Sequence, residues 1–257
     1  DKQSMPIPLR LAVHSRATRA LGAEQRAVLS GAEQTFEFPL AGPDPVLSIN
    51  RGYTAPVIVE RTLGKDDLVF LAGHDDDPFA RYEAMQELAV GHLVGVASGE
   101  GASGGEASLV EAFRAILTDA ALDDTMRGEL MMLPSETYLF ETMATGERKA
   151  DPGAIHAARE GLKAAIGTAC SAELHALYDR AEKVAHADPE GRGARKVKTQ
   201  VLVYAAAADP AKAAELAAYQ YDKAQNMTDR QGALMVLCGL DCPERAARLE
   251  DFYACYK

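Results

Sequence analysis

The chain has 257 residues, 47% hydrophobic and 25% charged, which excludes a disordered or low-complexity protein and leaves enough apolar material for a sizeable core. A formal net charge of −11 argues against nucleic acid as the main partner, because phosphate contacts need basic patches. Trp is absent and only 6% of residues are aromatic, so the core has to be built from Ala, Leu and Val.

Residues 1–74 read as strands. Ile7, Leu9, Leu11 and Val13 alternate with Pro8, Arg10, Ala12 and His14, the period-two signal of a half-buried strand. Phe36, Phe38 and Leu40 alternate in the same way, and short apolar runs follow at Val46–Ile49, Val57–Val59 and Leu68–Ala72. Gly, Pro, Asn and Asp fall between them, which predicts a small antiparallel β-sandwich.

From Asp75 the period becomes helical. Phe79, Tyr82, Met85, Leu88, Ala89, Leu93 and Val96 form one stripe. The Gly-rich SGEGASGGE at 98–106 lacks the Gly-Lys-Ser/Thr ending of a phosphate loop and reads as a connector. Ser108 and Glu111 fit a capping box for the next helix. A long helical segment is expected over 153–187, then shorter ones near 194–208, 210–225, 228–240 and 243–256. Asp-Pro recurs at 77–78, 151–152, 188–189 and 209–210, a helix-start signal because Pro has no N–H to lose at the first position. The break at NMTD, residues 226–229, is read as a helix–turn–helix joint with Thr228 and Gln231 as its capping box. The spacing has no fixed period, so residues 75–257 form an irregular all-α array rather than a clean repeat.

Little chemistry is visible. None of the six histidines belongs to an HExxH pair, and the four cysteines, Cys170, Cys238, Cys242 and Cys255, have no zinc spacing; they read as reduced thiols of a cytosolic protein. HDDDP at 74–78 sets three carboxylates beside an imidazole, but it lacks the ligand spacing of a calcium loop and reads as an acidic helix start. No GxSxG elbow occurs. No catalytic, cofactor-binding or metal residue is therefore assigned, no apolar run is long enough for a membrane span, and DKQSMPIPLR lacks the pattern of a signal peptide.

Four stretches together resemble the bacterial aminopeptidase N family of zinc-dependent alanyl aminopeptidases. EQTFEFPLAGPDPVLSINRGYTAPVIVE at 33–60 resembles its β-sandwich segment, and DPFARYEAMQELA at 77–89 the opening of its helical domain. EAFRAILTDAALD at 111–123 and NMTDRQGAL at 226–234 resemble later helices of that domain. Tyr53, Thr54, Tyr82 and Gly232 are mild departures from the family pattern.

The resemblance implies a piece of a longer enzyme: a β-sandwich domain at 1–74 and a helical domain at 75–257 that is incomplete at its C-terminal end. The zinc motif of such enzymes lies upstream of anything seen here. The chain is therefore expected to hold no zinc and to be inactive alone. Its partners would be the catalytic domain of the same parent chain and, through it, peptide substrates; its place would be the cytoplasm. The helical domain would help wall the active-site chamber. The alternative is a free-standing helical scaffold that binds a protein partner; the sequence upstream of Asp1 distinguishes the two. Ala246, Leu249, Phe252, Tyr253 and Tyr256 form an apolar stripe over 244–256 that runs to Lys257 without a stop signal. This stripe is expected to be partly exposed or covered by a neighbouring molecule.

Overall fold

The computed structural model describes residues 5–101, 105–146, 148–185 and 188–257. The chain divides into two compact units, Asp1–Ala89 and Val90–Lys257. The expected class holds: a small antiparallel sheet, then helices.

In the first unit β1 (Ile7–Ser15) lies between β2 (Gln25–Leu29) and β3 (Pro45–Ile49), antiparallel to both. Leu9 faces Ala27 across one seam, and Ala12 and His14 face Ser48 and Val46 across the other. Two helices follow, α1 (Lys65–His74) and α2 (Pro78–Ala97), the latter continuing into the second unit. Leu11, Ala12 and Val46 of the sheet and Phe70, Leu71, Ala84 and Met85 of the helices are buried.

Three expected strands are not strands. Phe36–Leu40 and Val57–Val59 lie in irregular chain, where Pro39 and Pro56 remove ladder donors and Ile58 is 95% exposed. Leu68–Ala72 belongs to α1. A short apolar run bears no period that separates a buried strand from a buried helix. The Gly64 N–H donates to Asp67 Oδ2 at 3.2 Å and starts the helix. Arg81 closes its far end by donating to the carbonyls of Ala72 and Gly73, both at 3.1 Å.

The second unit holds α3 (Gly105–Thr118), α4 (Asp124–Leu130), α5 (Glu136–Thr145), α6 (Pro152–Ala169), α7 (Ser171–Glu182), α8 (Gly191–Ala208), α9 (Pro210–Lys223), α10 (Met227–Cys238) and α11 (Pro243–Tyr256). α8 packs against α4, α6, α7, α9 and α10. Small residues permit this. A Cβ on Gly167 of α6 would stand 2.3 Å from the Tyr204 carbonyl oxygen of α8, and one on Gly193 would stand 2.6 Å from the Thr125 nitrogen. Tyr204 is wholly buried, meets Phe113 edge-on at 5.0 Å, and donates its hydroxyl to the Met131 carbonyl. Burial pushes that hydroxyl far above the ordinary tyrosine range, so it stays a donor.

Caps follow the sequence in part. Asp77 accepts from the Ala80 N–H, Asp151 from Gly153 and Ala154, and Asp209 from Lys212, each with Pro at the first helical position. Asp188-Pro189 does not open a helix: Gly191 donates back to the Asp188 carbonyl in a turn, and α8 begins at Gly191. The expected long helix over 153–187 is two helices, because Cys170 leaves helical geometry between α6 and α7 (φ −113°, ψ 21°). His186 and residues 102–104 lie outside the described residues. Ser108 falls inside α3, which starts at Gly105, and Thr228 falls inside α10. The α10 cap is Asn226, whose Oδ1 accepts from the Asp229 N–H at 2.9 Å. α11 forms as expected, with no buried residue; Tyr253 is 69% exposed.

Arg127 ties the turn between α3 and α4. Its guanidinium, 4% exposed, donates to the carbonyls of Ile116, Leu117, Asp119 and Leu122 and to Asp124. Arg127→Met should lower the unfolding free energy by about 3–5 kcal/mol, because the carboxylate and several carbonyls lose their donor together. Gly167→Ala should cost about 1–3 kcal/mol by forcing α6 from α8, despite the better helix propensity of Ala. Urea unfolding monitored by circular dichroism measures both.

Candidate functional site

The densest group of ionisable side chains lies in the first unit, where β1 meets the turn between α1 and α2. His14 points from the buried end of β1. Its Nδ1 accepts from the Gly22 N–H at 3.0 Å, so in the neutral ring the proton sits on Nε2, which faces Asp75 Oδ2 at 3.4 Å. Asp75 is buried, and its other oxygen accepts from the Asp77 N–H at 2.8 Å.

Arg51 enters from a short 3-10 turn, Arg51–Tyr53. Asn50 starts that turn in the left-handed region (φ 56°), which Asn tolerates, and its amide bonds both the N–H and the carbonyl of Ala55 at 3.0 Å. The Arg51 guanidinium reaches Asp76 at 2.5 Å, Asp75 at 3.7 Å and Glu24 at 3.4 Å. Arg10 joins Glu24 at 3.3 Å and Asp77 at 3.7 Å. Gly52 adopts φ +63°, donates its N–H to Asp77 at 3.0 Å, and leaves the space Arg10 fills; a Cβ there would lie 2.4 Å from Arg10 Nη2.

Burial pushes Asp75 upward, but the neighbouring His14 and Ser48 and the hydrogen bond from the Asp77 amide prevail and hold its carboxyl below the usual range. Burial works against the charge of Arg51, and the bond to Asp76 with the nearby Asp75 and Asp77 more than restores it.

His14, Asp75 and Asp76 bring one ligand atom each within 4.8 Å of one another. These donors do not fit a zinc. Arg51 Nη1 stands 3.4 Å from His14 Nε2 while Nη2 binds Asp76, so a fixed cation already compensates the carboxylates. The group is a charge-balanced tie between sheet and helices. HDDDP thus serves partly as the helix start read from sequence, through Asp77, while His74 turns away against Phe70 at 5.7 Å. The meeting of His14 with Asp75 had no signal in the sequence, because the partners sit on separate elements.

A second polar group lies in the second unit, at the NMTD joint. A cavity of about 410 Å³ opens between the ends of α7 and α9 and the first turn of α10. Tyr178 and Gln220 form its inner wall with Asp229, which is bound by Lys198 at 2.9 Å and by Asn226 at 3.0 Å.

Residues 65–257 match a family described as a domain of unknown function (DUF3458_C) with ARM repeats, and residues 1–62 one described as a domain of unknown function (DUF3458) with an Ig-like fold. The chain is 28% identical over 265 residues to Aminopeptidase N of Escherichia coli (strain K12), covering 98% of this chain and 30% of that protein. It is 30% identical over 242 residues to Aminopeptidase N of Caulobacter vibrioides, covering 93% and 28%. The crystal structure of Legionella pneumophila aminopeptidase A in complex with aspartic acid matches with a TM-score of 0.82 at 25% identity, over 97% of this chain and 30% of that one. The chain thus spans no more than 30% of the length of the curated relatives it matches.

Asp75 has a folded-state pKa below its ordinary value of 3.8, so its stabilisation is present above that pH and is lost as pH falls through the lower, folded-state value. Asp75→Asn should destabilise the first unit by about 3 kcal/mol at pH 7, since it leaves Arg51 and His14 short of a buried partner. The gap between wild type and variant should shrink in urea titrations repeated toward pH 3.

Proposed function

The chain belongs to the DUF3458 family, an Ig-like domain followed by an ARM-repeat domain, and on that premise we propose that it is a non-catalytic part of a zinc aminopeptidase that removes N-terminal residues from peptides. One observation carries this reading. The likeness to two proteins named Aminopeptidase N runs through both units, from the sheet to the last helices, and occupies under a third of each relative. A piece of that size leaves the peptidase chemistry to the remainder of the parent chain, where the zinc is assigned. The charge-balanced His14–Asp75–Arg51 tie supports a structural role for the first unit. The second unit is read as part of the wall of the active-site chamber, limiting which peptides enter; stacked helices of the ARM type present the extended surfaces such a wall needs. The parent enzyme is placed in the cytoplasm, with the catalytic domain and peptides as partners.

Two outcomes are expected. Chain 1–257, washed with chelator, should contain no stoichiometric zinc by elemental analysis and should not hydrolyse alanyl-p-nitroanilide. One tightly held zinc per chain, or chelator-sensitive turnover, overturns the assignment. In the intact parent enzyme, removal of the second unit should raise kcat/KM for long peptides relative to dipeptides. An unchanged ratio removes the wall from the reading.

A further inference from the structure

Two segments of the first unit have the side-chain pattern of strands and no strand beside them. Along 56–63 the residues alternate one by one: Pro56, Ile58, Glu60 and Thr62 are exposed, and Val57, Val59, Arg61 and Leu63 are half-buried. Along 35–38 Thr35 and Glu37 are exposed, while Phe36 and Phe38 are half-buried with their rings 6.3 Å apart, the same-side spacing of an extended chain. Val57, Ile58 and Val59 are all β-branched, the composition that suits a pleated surface. Yet among the described residues no backbone-to-backbone hydrogen bond reaches 35–38 or 58–63, and neither segment belongs to the three-stranded sheet. Pro39 and Pro56 stand at the ends of the two runs, so each run keeps its own N–H donors. Arg61 ties the second run to α2 by donating to Glu87 at 3.1 Å.

The sheet has one face covered and one face short of cover. Ala12, His14, Val46 and Ser48 share the first face, and all are buried. Leu11, Val13, Leu47 and Ile49 share the second, where Val13 and Ile49 are half-buried and Leu47 is 39% exposed; Ile7 and Leu9 continue it along β1, half-buried as well. An Ig-like fold, the description of the family matched by residues 1–62, is two antiparallel sheets packed face to face. One sheet of three strands is one layer of it. The matched region is only 30% and 28% of the two Aminopeptidase N relatives, so a parent chain of that kind has ample length to supply further strands.

We propose that residues 35–38 and 57–63 are strand-docking edges, and that extended segments of the parent chain outside residues 1–257 pair with them to form the second sheet of the sandwich. Main-chain ladder bonds supply the affinity, and the side of each run bearing Phe36, Phe38, Val57 and Val59 supplies the apolar contacts. The inference rests on the aminopeptidase reading for the existence of a parent chain, and it gives that chain's contact with the first unit a chemistry.

Hydrogen exchange followed by mass spectrometry, on the intact parent enzyme and on chain 1–257, tests it. Amides of 35–38 and 57–63 should exchange about a hundredfold more slowly in the parent enzyme than in chain 1–257, while those of β1 serve as the internal control for folding. Equal exchange in the two proteins overturns the proposal. Slow exchange already present in chain 1–257 does so too, since the runs are then paired within the chain or with a second copy. Ile58→Pro and Val59→Pro in the parent enzyme separate pairing from mere covering. Adjacent N–H groups of a strand point to opposite edges, so one of the two variants must remove a ladder donor and release the protection of its neighbours, with β1 unaffected. Protection unchanged in both variants means the run is covered rather than paired, and overturns the proposal equally. Protected amides in a parent protein without peptidase activity refute the aminopeptidase reading alone; unprotected amides in an active enzyme refute this inference alone.

Discussion

Close approach governs the helical unit. With no tryptophan and few aromatic side chains, its helices have to come near enough for alanine and glycine to make contact. Gly167 against the Tyr204 carbonyl and Gly193 against Thr125 set that spacing around α8. Dispersion contacts are individually weak, so a core of small residues holds only when the backbones are close and voids are few. The large buried side chains Phe113 and Tyr204 pack on each other, and Tyr204 also bonds the Met131 carbonyl. Arg127 gathers the loose end of α3 in the same region, supplying donors where the chain turns too sharply for helical hydrogen bonds.

Much of this was legible in the sequence and the rest was not, for identifiable reasons. The alternation of Ile7–Val13 and the stripe of 79–96 each mark one face of an element, and both formed. Leu68–Ala72 had no face to show, because α1 buries it on several sides, and it was misread as a strand. At NMTD two overlapping cap patterns compete. Asn226 takes the cap and Thr228 moves inside the helix, since that placement sends the Asp229 side chain inward to Lys198. The resemblance to aminopeptidase N rested on four stretches, and the likeness covers both units.

The candidate sites were the least legible part. HDDDP looked like a local acidic start, yet its buried member is matched by a histidine from β1 and an arginine from a separate turn. No sequence period records such a meeting. Nor does spacing reveal that Lys183 just past α7, Lys223 of α9 and Asp229 of α10 border one cavity. In both groups the buried carboxylate faces a cation, Arg51 for Asp75 and Lys198 for Asp229.

The last helix has a different standing from the rest. α11 buries none of its residues, and its seam with α9 and α10 is held by polar contacts: Arg248 to Asp222, Tyr221 to Asp251 and Arg230 to Tyr256. Such contacts are screened by salt and contribute little net free energy. Its amide hydrogens should therefore exchange with solvent through a low-energy detachment that leaves α8 intact, orders of magnitude sooner than those of the central helix. The molecule thus carries its own gradient of kinetic protection, steepest along the path from Tyr204 to Tyr256.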